Sequence, residues 1–311
     1  MLLPVDGSGQ SQRATVIINP IAGPGRARTL DACAALARSA LGARGFDTDV
    51  RVTGSSTDAH RFANEALRAG TDLVVAWGGD GTVNGAGAAL AGSRTPLGII
   101  GGGSGNGLAR DLGLPLDPAA AFDVAATGAT RAIDAGELNG SLFFNVAGIG
   151  LDACIACRLA SSNARRGLLG YVMATLSEMA SYTPCQYSIV MSDGASNGVP
   201  PIHTSALFIA LANSRQYGNG AQIAPLARLD DGALDMVVVK PQSSWRIVSR
   251  VPSFFLGTLR EDDTVLMRTA SHIDITSNQP IRFHVDGEPR DSATSLSMRT
   301  RPRSLLIRVK H

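Results

Sequence analysis

A glycine-rich loop that carries an acid is the part of this sequence that points most directly to chemistry. Residues 78–84 read Gly-Gly-Asp-Gly-Thr-Val-Asn and directly follow the apolar run 72–77. Glycines let backbone N–H groups approach an anion closely, and a helix that begins near Thr82 would add partial positive charge. Asp80 makes sense beside phosphate if Mg²⁺ lies between them. The loop predicts phosphoryl transfer from a nucleotide; the simpler alternative is a tight turn with Asp80 as a first-turn helix acid.

Two further strand–loop units have a similar form. The apolar run 97–100 leads into Gly-Gly-Gly-Ser-Gly-Asn-Gly at 101–107, and the strand-like run 14–18 leads into Asn19-Pro20. Such loops would lie at the carboxyl ends of neighbouring parallel strands, where open α/β sheets bind ligands. Neither glycine loop is a Walker A motif, because no Gly-Lys-Ser/Thr follows, and the Rossmann fingerprint fits poorly.

Two acids separated by one glycine end a strand near the C-terminus. The run 281–285 is followed by Asp286-Gly287-Glu288, and both carboxylates can point from such a turn into one cleft. An ordinary Asp-Gly turn is the alternative. His284 alternates away from Phe283, and we expect it to pack rather than to take part in catalysis.

A third acidic loop occupies residues 228–233. The adjacent acids Asp230 and Asp231 precede Gly232, an order that fits a loop holding a hard cation with carboxylate and carbonyl oxygens. A plain turn explains the same residues.

The elements that must position these loops fall into two groups. Up to about residue 137 strands alternate with helices, including one over 57–69 and one opening at Asp117-Pro118, which predicts a doubly wound parallel sheet with helices on both faces. Beyond it, consecutive strands predict an antiparallel, sandwich-like β domain. No linker marks the boundary, so the domains are expected to share an interface with the active site in the cleft between them. The predicted strands are 142–147, 186–192, 203–212, 233–239, 264–269, 271–276, 280–285 and 303–309, with helices near 152–160, 166–181 and 243–257.

Composition excludes several classes of protein. A chain of 311 residues with 44% hydrophobic and 17% charged residues can bury two cores, and a net charge of +2 does not indicate a nucleic-acid partner. Four cysteines make no disulfide framework, and we expect Cys154 and Cys157 to be small core residues. No signal peptide and no apolar run of about 18 residues is evident, so the cytoplasm is the expected compartment.

The ordered set of motifs resembles the diacylglycerol kinase catalytic family, which covers bacterial lipid kinases, sphingosine kinases and ceramide kinases. The resemblance spans about residues 14–290. It rests on Asn19-Pro20, on 78–84 and 103–106, on 144–152, on 212–218 and 223–232, and on 285–288.

The resemblance implies the fold and several site residues. It implies two domains, 13–137 with a returning strand at 301–311, and 138–300. It places the general base in the Asp286-Gly287-Glu288 motif without deciding between the two acids. It also implies a structural Mg²⁺ held by Asp231 and the carbonyls of Arg228 and Ala233. The nucleotide-binding candidates are Asn19, Thr53, Gly78, Gly79, Asp80, Gly81, Thr82, Asn84, Gly103, Ser104, Gly105 and Asn106.

The acceptor stays open among diacylglycerol, a sphingoid base, ceramide and another lipid alcohol. Many family members have Gly-Thr-Gly-Asn-Asp where residues 103–107 read Gly-Ser-Gly-Asn-Gly. Because the lipid must leave a membrane, we expect peripheral docking, for which the apolar and basic segment 245–260 is a candidate, with core packing as the alternative. A homodimer is left open.

The sequence therefore predicts an ATP-dependent, Mg²⁺-requiring lipid kinase with Asp80, Asp286 and Glu288 as catalytic residues. An NAD kinase shares the first glycine motif, but the Gly103–Asn106 loop and the Asp286–Glu288 motif disfavour it. A catalytically silent lipid- or nucleotide-binding protein is the other alternative, and the three intact acids argue against it.

Overall fold

The chain forms two compact units. The computed structural model describes residues 11–21, 29–161, 182–192, 200–218 and 220–311. The first unit extends to Ile133 and also takes in Arg303–His311, and the second is Asp134–Pro302. Both divisions fall inside long strands, β5 (Ala129–Leu138) and β16 (Glu288–Val309). That continuity explains why no change of composition marks a linker.

The first unit is built on a parallel sheet. Its elements are β1 (Gln12–Ile18), α1 (Leu30–Gly42), β2 (Phe46–Val52), α2 (Asp58–Arg68), β3 (Leu73–Gly78), α3 (Asp80–Leu90), β4 (Leu97–Gly101), α4 (Gly107–Asp111) and α5 (Pro118–Thr127). The strand order is β2-β1-β3-β4, followed by the end of β16. The last pairing joins Ile307 to Leu97 in a parallel register.

Local sequence accounts for these elements. Every residue of β3 is buried, as expected of a central parallel strand that is covered on both faces. The hydroxyl of Thr29 caps α1, and the carboxylate of Asp117 caps α5, in which Pro118 is the first residue. Helices α1 and α5 share a core with alternate residues of β1 and β3, where Trp77 meets Phe122 edge to face at 5.3 Å. Helix α2 contacts α3, β1 and β3, and α3 also contacts β3 and β4. The expected doubly wound sheet is confirmed.

The second unit is antiparallel. Its elements are β6 (Ser141–Phe143), β7 (Val146–Gly150), α6 (Leu151–Ser161), β8 (Cys185–Ser192), β9 (Ile202–Ala206), β10 (Phe208–Ala212), β11 (Gln216–Gly218), β12 (Ala221–Gln222), β13 (Leu234–Val239), α7 (Ser244–Leu256), β14 (Val265–Ala270) and β15 (His272–Val285). Its main strand order is β14-β13-β10-β7-β15-β16, with β8 and β9 continuing from β15, and β5 and β6 continuing from β16. Strand β15 changes partner at an irregularity between Thr276 and Ile281: it pairs with β8 before that point and with β7 after it. Residues from both groups of strands form one core, so the expected β-rich, sandwich-like domain is confirmed.

Several predicted boundaries differ from the structure. The predicted strand 203–212 is interrupted at Leu207, because β9 pairs with β8 whereas β10 pairs with β7 and β13. The predicted strands 271–276 and 280–285 are one strand, β15, and 142–147 is divided between β6 and β7.

Two other expectations concern helices. Cys154 is buried, as expected, but Cys157, one helical turn further along α6, is exposed, so the expectation that both are core residues is wrong for Cys157. The predicted helix 166–181 lies outside the described residues. Within the described part of the chain, no helix combines the length and the apolarity needed to cross a bilayer.

Candidate active site

The two glycine loops of the first unit are in contact. The N–H of Gly102 donates to the carbonyl of Gly78 at 2.8 Å. A Cβ atom built on Gly103 would lie 2.6 Å from the Cα atom of Gly79, so a side chain at position 103 would force the loops apart. The first loop follows β3 and Asn19 follows β1, and the strand order reverses between these two strands. Open α/β sheets bind ligands at this switch point.

Asp80 joins the two loops, and Asn106 stabilises the second loop from within. One carboxylate oxygen of Asp80, Oδ1, accepts from the N–H of Gly107 at 2.7 Å. The Asn106 side chain accepts from the N–H of Gly103 and donates to its carbonyl, both at 2.8 Å, with Asn106 itself left-handed at φ 50°. Helix α3 begins at Asp80, two residues before the expected start at Thr82. Asp80 is therefore a first-turn acid that also bridges the loops.

The remaining nucleotide candidates divide into those at the loops and those beside them. Asn19 Nδ2 donates to the buried Thr82 Oγ1 at 3.1 Å. Thr53 is buried, and its N–H donates to the carbonyl of Ile18 at 2.9 Å, so it closes the end of the β1–β2 pair. Ser104 is exposed on the second loop. Of the remaining three, Gly81 and Asn84 lie on α3, and Gly105 lies on the second loop, where its carbonyl accepts from Arg110 Nε at 2.9 Å.

The Asp286-Gly287-Glu288 motif forms a two-residue hairpin turn between β15 and β16. Asp286 and Gly287 both have positive φ, 46° and 84°, which is the geometry that favours Asp-Gly in a type I′ turn. The carboxylate of Asp286 accepts three backbone N–H groups, from Phe144 at 2.9 Å and from Asn145 and Val146 at 3.0 Å.

Glu288 differs from Asp286 in its position, in its exposure and in its hydrogen bonds. It begins β16 and is exposed. Within the described residues its carboxylate has no hydrogen-bond or ion-pair partner. The motif is therefore a real Asp-Gly turn that also presents one carboxylate to solvent.

The predicted metal loop 228–233 is anchored by an acid that sequence reasoning missed. Asp134 is fully buried; its Oδ2 accepts from the N–H of Gly232 at 2.6 Å, and its own N–H donates to the carbonyl of Leu229. Asp231 is exposed, and its Oδ1 accepts from the N–H of Ala233 at 3.2 Å. An acid between the apolar residues at 133 and 135 was the available signal for Asp134.

Reasoning from the sequence also missed the residue that links this loop to the hairpin turn. Asn213 is fully buried, and its Nδ2 donates at 2.9 Å to the carbonyls of both Asp134 and Phe144. Phe144 in turn donates to Asp286. The acidic loop and the hairpin turn therefore belong to one hydrogen-bond network inside the second unit.

His284, expected to pack, is buried but makes polar contacts. Its Nε2 lies 2.6 Å from Asp152 Oδ2, and its Nδ1 accepts from the N–H of Gly287 at 3.2 Å. It therefore contacts the turn directly.

Helix α7 has an exposed apolar face. Trp245 and Leu256 are 77% and 73% exposed, and Val251, Pro252 and Phe255 lie on the same side of the helix and are also exposed. These five residues are the α7 apolar face.

Of the three arginines in the segment 245–260 that we expect to meet anionic lipid, Arg246, Arg250 and Arg260, the first two have partners within the protein. Arg246 pairs with Asp263, and Arg250 pairs with Asp262 and donates to Thr264. Ile247 and Phe254 pack against the core on the opposite side of the helix. Helix α7 is thus apolar both towards the core and towards solvent.

Comparison with known proteins identifies the family. Residues 13–138 match the diacylglycerol kinase catalytic domain, and residues 145–309 match the YegS C-terminal NAD kinase beta sandwich-like domain. A Mycobacterium tuberculosis protein named diacylglycerol kinase is 33% identical over 282 residues, which cover 89% of this chain and 88% of that one. The chain belongs to the diacylglycerol kinase family.

Other family members agree with this assignment. A Pseudomonas fluorescens protein named "Probable lipid kinase YegS-like" is 32% identical over 88% of this chain and 90% of its own. A crystal structure of a diacylglycerol kinase from Bacillus anthracis superposes with a TM-score of 0.70 at 22% identity, covering 97% of this chain and 98% of that one. At that identity the match shows the fold. The expected enzyme class, a lipid kinase, is confirmed by the family.

Proposed function

We propose that this protein transfers the γ-phosphoryl group of ATP to a hydroxyl group of a membrane lipid, in a reaction that requires Mg²⁺. The observation that carries the proposal is the pair of touching glycine loops at the switch point of the parallel sheet, bridged by Asp80. Diacylglycerol is the first acceptor to test, since it is named for the relatives, and a sphingoid base or ceramide is the alternative.

The loop residues fit a nucleotide phosphate. Side chains are excluded where Gly103 meets Gly79, and a Cβ on Gly78 would overlap Thr82, so backbone N–H groups can come close to an anion. Asp80 is held by Gly107 in a place where a carboxylate suits a metal–phosphate complex. When bound, ATP supplies the phosphoryl group and Mg²⁺ neutralises its charge. Asn19, Gly78, Gly79, Gly81, Thr82, Asn84 and the 103–106 loop would hold the nucleotide, with Thr53 supporting the strand end.

The two acids of the hairpin turn have different proposed roles. A carboxylate has about four lone-pair sites, and three of those on Asp286 already accept backbone N–H groups. Asp286 is therefore best suited to position the turn. Glu288 is exposed and is the better general base for the lipid hydroxyl, because a base must be able to reach the proton that it removes.

The 228–233 loop is proposed as a structural Mg²⁺ site. Asp231 would supply a carboxylate, and Arg228 and Ala233 would supply carbonyl oxygens, the ligands that hard cations prefer. Support comes from buried Asp134, which holds Gly232 and Leu229 in place from behind. Through Asn213, the loop would then support the Asp286 turn.

The α7 apolar face is proposed to insert into the membrane surface that holds the lipid. A tryptophan beside aliphatic and aromatic side chains is typical of interfacial segments. Because Arg246 and Arg250 are paired within the protein, this docking would rely on apolar burial more than on attraction to anionic lipid.

A transfer screen tests the proposed function. Labelled ATP would be offered with diacylglycerol, sphingosine and ceramide in mixed micelles, and with NAD in solution, each with and without Mg²⁺. Label entering one lipid in a metal-dependent manner supports the proposal. Label entering NAD alone would establish the NAD kinase alternative, and no transfer to any acceptor would favour a binding protein.

A further inference from the structure

We propose that Asp152 and His284 are positioning residues that hold the Asp286-Gly287-Glu288 turn by locking His284 in a single tautomer. The catalytic consequence rests on the proposed role of Glu288 as the base, whereas the locking itself does not. Asp152 and His284 form a buried polar pair that has no role in the phosphoryl transfer proposed for the glycine loops and Glu288.

The pair is buried and makes a continuous path to the turn. The Asp152 and His284 side chains are 5% and 7% exposed, and Asp152 Oδ2 lies 2.6 Å from His284 Nε2. On the other side of the ring, Nδ1 lies 3.2 Å from the N of Gly287. Gly287 is the residue directly before Glu288. Two hydrogen bonds therefore connect Asp152, in the first turn of α6, to Gly287, the neighbour of the candidate base.

The direction of these bonds determines the tautomer. A backbone N–H can only donate, so Nδ1 must be the unprotonated, accepting nitrogen of the ring. Nε2 then carries the hydrogen and donates to the Asp152 carboxylate. A carboxylate that orients a histidine in this way is a recurrent device of functional sites. Here the oriented nitrogen accepts from a main-chain N–H of the turn.

Gly148 is an independent sign that the pair is built into the fold. It lies in β7 directly opposite His284, and a Cβ at this position would overlap both Asp152 Oδ2 and His284 Nε2. Gly148 does not have a positive φ, so its backbone conformation does not require glycine. A glycine inside a strand weakens it and commonly marks a close approach of other groups. The space is needed by the pair.

The two supports act on different residues of the turn. Asp286 is held through its side chain by the N–H groups of residues 144–146, and Gly287 is held through its backbone by His284. Replacing a buried polar pair by apolar side chains is often neutral or stabilising. A role in orienting Glu288 gives the pair a function that stability alone does not require.

The experiment compares His284→Asn with His284→Gln. Asparagine can place its side-chain oxygen near the former Nδ1, where it can accept from Gly287. Glutamine reaches the Nε2 position, where it can donate to Asp152, but it offers no acceptor to Gly287. We expect His284→Gln to lower kcat by about 10–100-fold with little change in KM for ATP, and His284→Asn to retain most of the activity. His272→Gln is the matched control, because His272 pairs with Asp274 on the same strand, away from the turn.

Two further readouts do not depend on activity. Proton–nitrogen correlation spectra of the wild-type imidazole should show hydrogen on Nε2 and none on Nδ1. Amide exchange at Gly287 should be faster in His284→Gln than in His284→Asn. The wild-type spectrum needs no variant, so a variant that fails to fold leaves the proposal testable.

Each outcome decides one claim. Hydrogen on Nδ1 in the wild type, or unchanged kcat and Gly287 exchange in His284→Gln, would overturn the positioning pair. If Glu288→Gln keeps full activity, the base assignment fails, while the tautomer and the exchange rates still decide whether the pair holds the turn.

Discussion

At the scale of single residues, one motif contains two acids whose surroundings differ completely. The carboxylate of Asp286 accepts hydrogen bonds from three backbone N–H groups of residues 144–146, whereas Glu288 is exposed. From the sequence alone, either acid can be the general base. Their hydrogen bonds separate a residue that shapes the turn from one that can exchange a proton.

The first prediction separates these roles. Glu288→Gln should keep the stability of the wild type and lower kcat by about 10²–10⁴-fold, the usual effect of losing a general base. Asp286→Asn replaces an acceptor oxygen by a donor facing backbone N–H groups, and should lower the free energy of unfolding by about 1–3 kcal/mol. Lipid phosphorylation and urea unfolding measure the two effects. A Glu288→Gln enzyme with wild-type kcat would remove the base assignment.

The second prediction concerns Asp80. Asn at this position keeps an oxygen that can accept from Gly107, so the loops should stay together. The loss of charge beside the phosphates should reduce turnover by about 10²-fold or more. Circular dichroism checks the fold and labelled transfer checks the rate. Near-normal turnover in a folded variant would contradict the proposed site.

At the scale of elements, helix α7 shows how packing decides which residues face outward. Ile247 and Phe254 point into the core, and the arginines turn towards the acids at 262 and 263. Trp245, Val251, Pro252, Phe255 and Leu256 are left exposed. An Arg250→Glu variant would therefore break a pair within the protein instead of reporting on lipid.

The third prediction tests the α7 apolar face. Trp245→Ser with Leu256→Ser should weaken binding to vesicles by about tenfold or more for each side chain, because burying one large apolar group contributes about 1.5–3 kcal/mol. Binding should occur on zwitterionic vesicles and depend little on salt. Vesicle sedimentation measures both, with Leu116→Ser, an exposed residue of the first unit, as the control. Sedimentation that the double variant leaves unchanged would argue against docking by α7.

The fourth prediction is a pH dependence of the segment that follows α7. Burial opposes the charge of Asp262, but hydrogen bonds from Arg250 and from the N–H and hydroxyl of Thr264 hold its pKa below the ordinary value of 3.8. A lowered folded-state pKa stabilises the fold above the unfolded-state pKa, and that stabilisation is lost as the pH falls below about 4. Asp262→Asn should therefore lower Tm at pH 7, and the difference should shrink in acid.

The control for this prediction is Asp263→Asn. The Arg246–Asp263 pair is largely exposed, and exposed ion pairs contribute little. Thermal unfolding followed at several pH values compares the three proteins. A Tm difference for Asp262→Asn that stays constant down to pH 2 would show that the carboxylate is not the source.

At the scale of the whole molecule, the chain returns to its first unit at the end. Strand β16 belongs to the second unit up to Pro302 and to the first from Arg303. There it pairs with β4, so the last nine residues complete a sheet begun at residue 12. The first unit is therefore built from two separate pieces of sequence, whereas the second is one continuous piece.

The fifth prediction follows from this return. Ile307 is fully buried and pairs with Leu97. Ile307→Ala should lower the free energy of unfolding of the first unit by about 2–5 kcal/mol. Trp77 and Trp245 are the two tryptophans of the chain, one in each unit, so Trp77 fluorescence in a Trp245→Phe background reports on the first. Lys310→Ala, an exposed change nearby, is the control, and equal unfolding of both variants would contradict the prediction.

The sequence by itself determined the local features of this protein. Glycines after apolar runs marked the loops that carry Asp80 and Asn106, and alternation of strands and helices indicated the parallel sheet. The Asp-Gly pair at 286–287 indicated its turn. These features follow from backbone freedom and from side-chain periodicity over a few residues, so they can be recognised without knowing what lies nearby in space.

Only the tertiary structure decided which groups meet. The N–H groups that occupy Asp286 lie about 140 residues away in the chain, as the separations of its hydrogen bonds show. Asp134 is 98 residues from Gly232, and Asp152 is 132 residues from His284. Strand pairing brings these residues together. The periodicity of a sequence indicates a strand, but it does not indicate which other strand will lie beside it. The partners of each carboxylate, and with them its role, therefore emerge only when the sheets form.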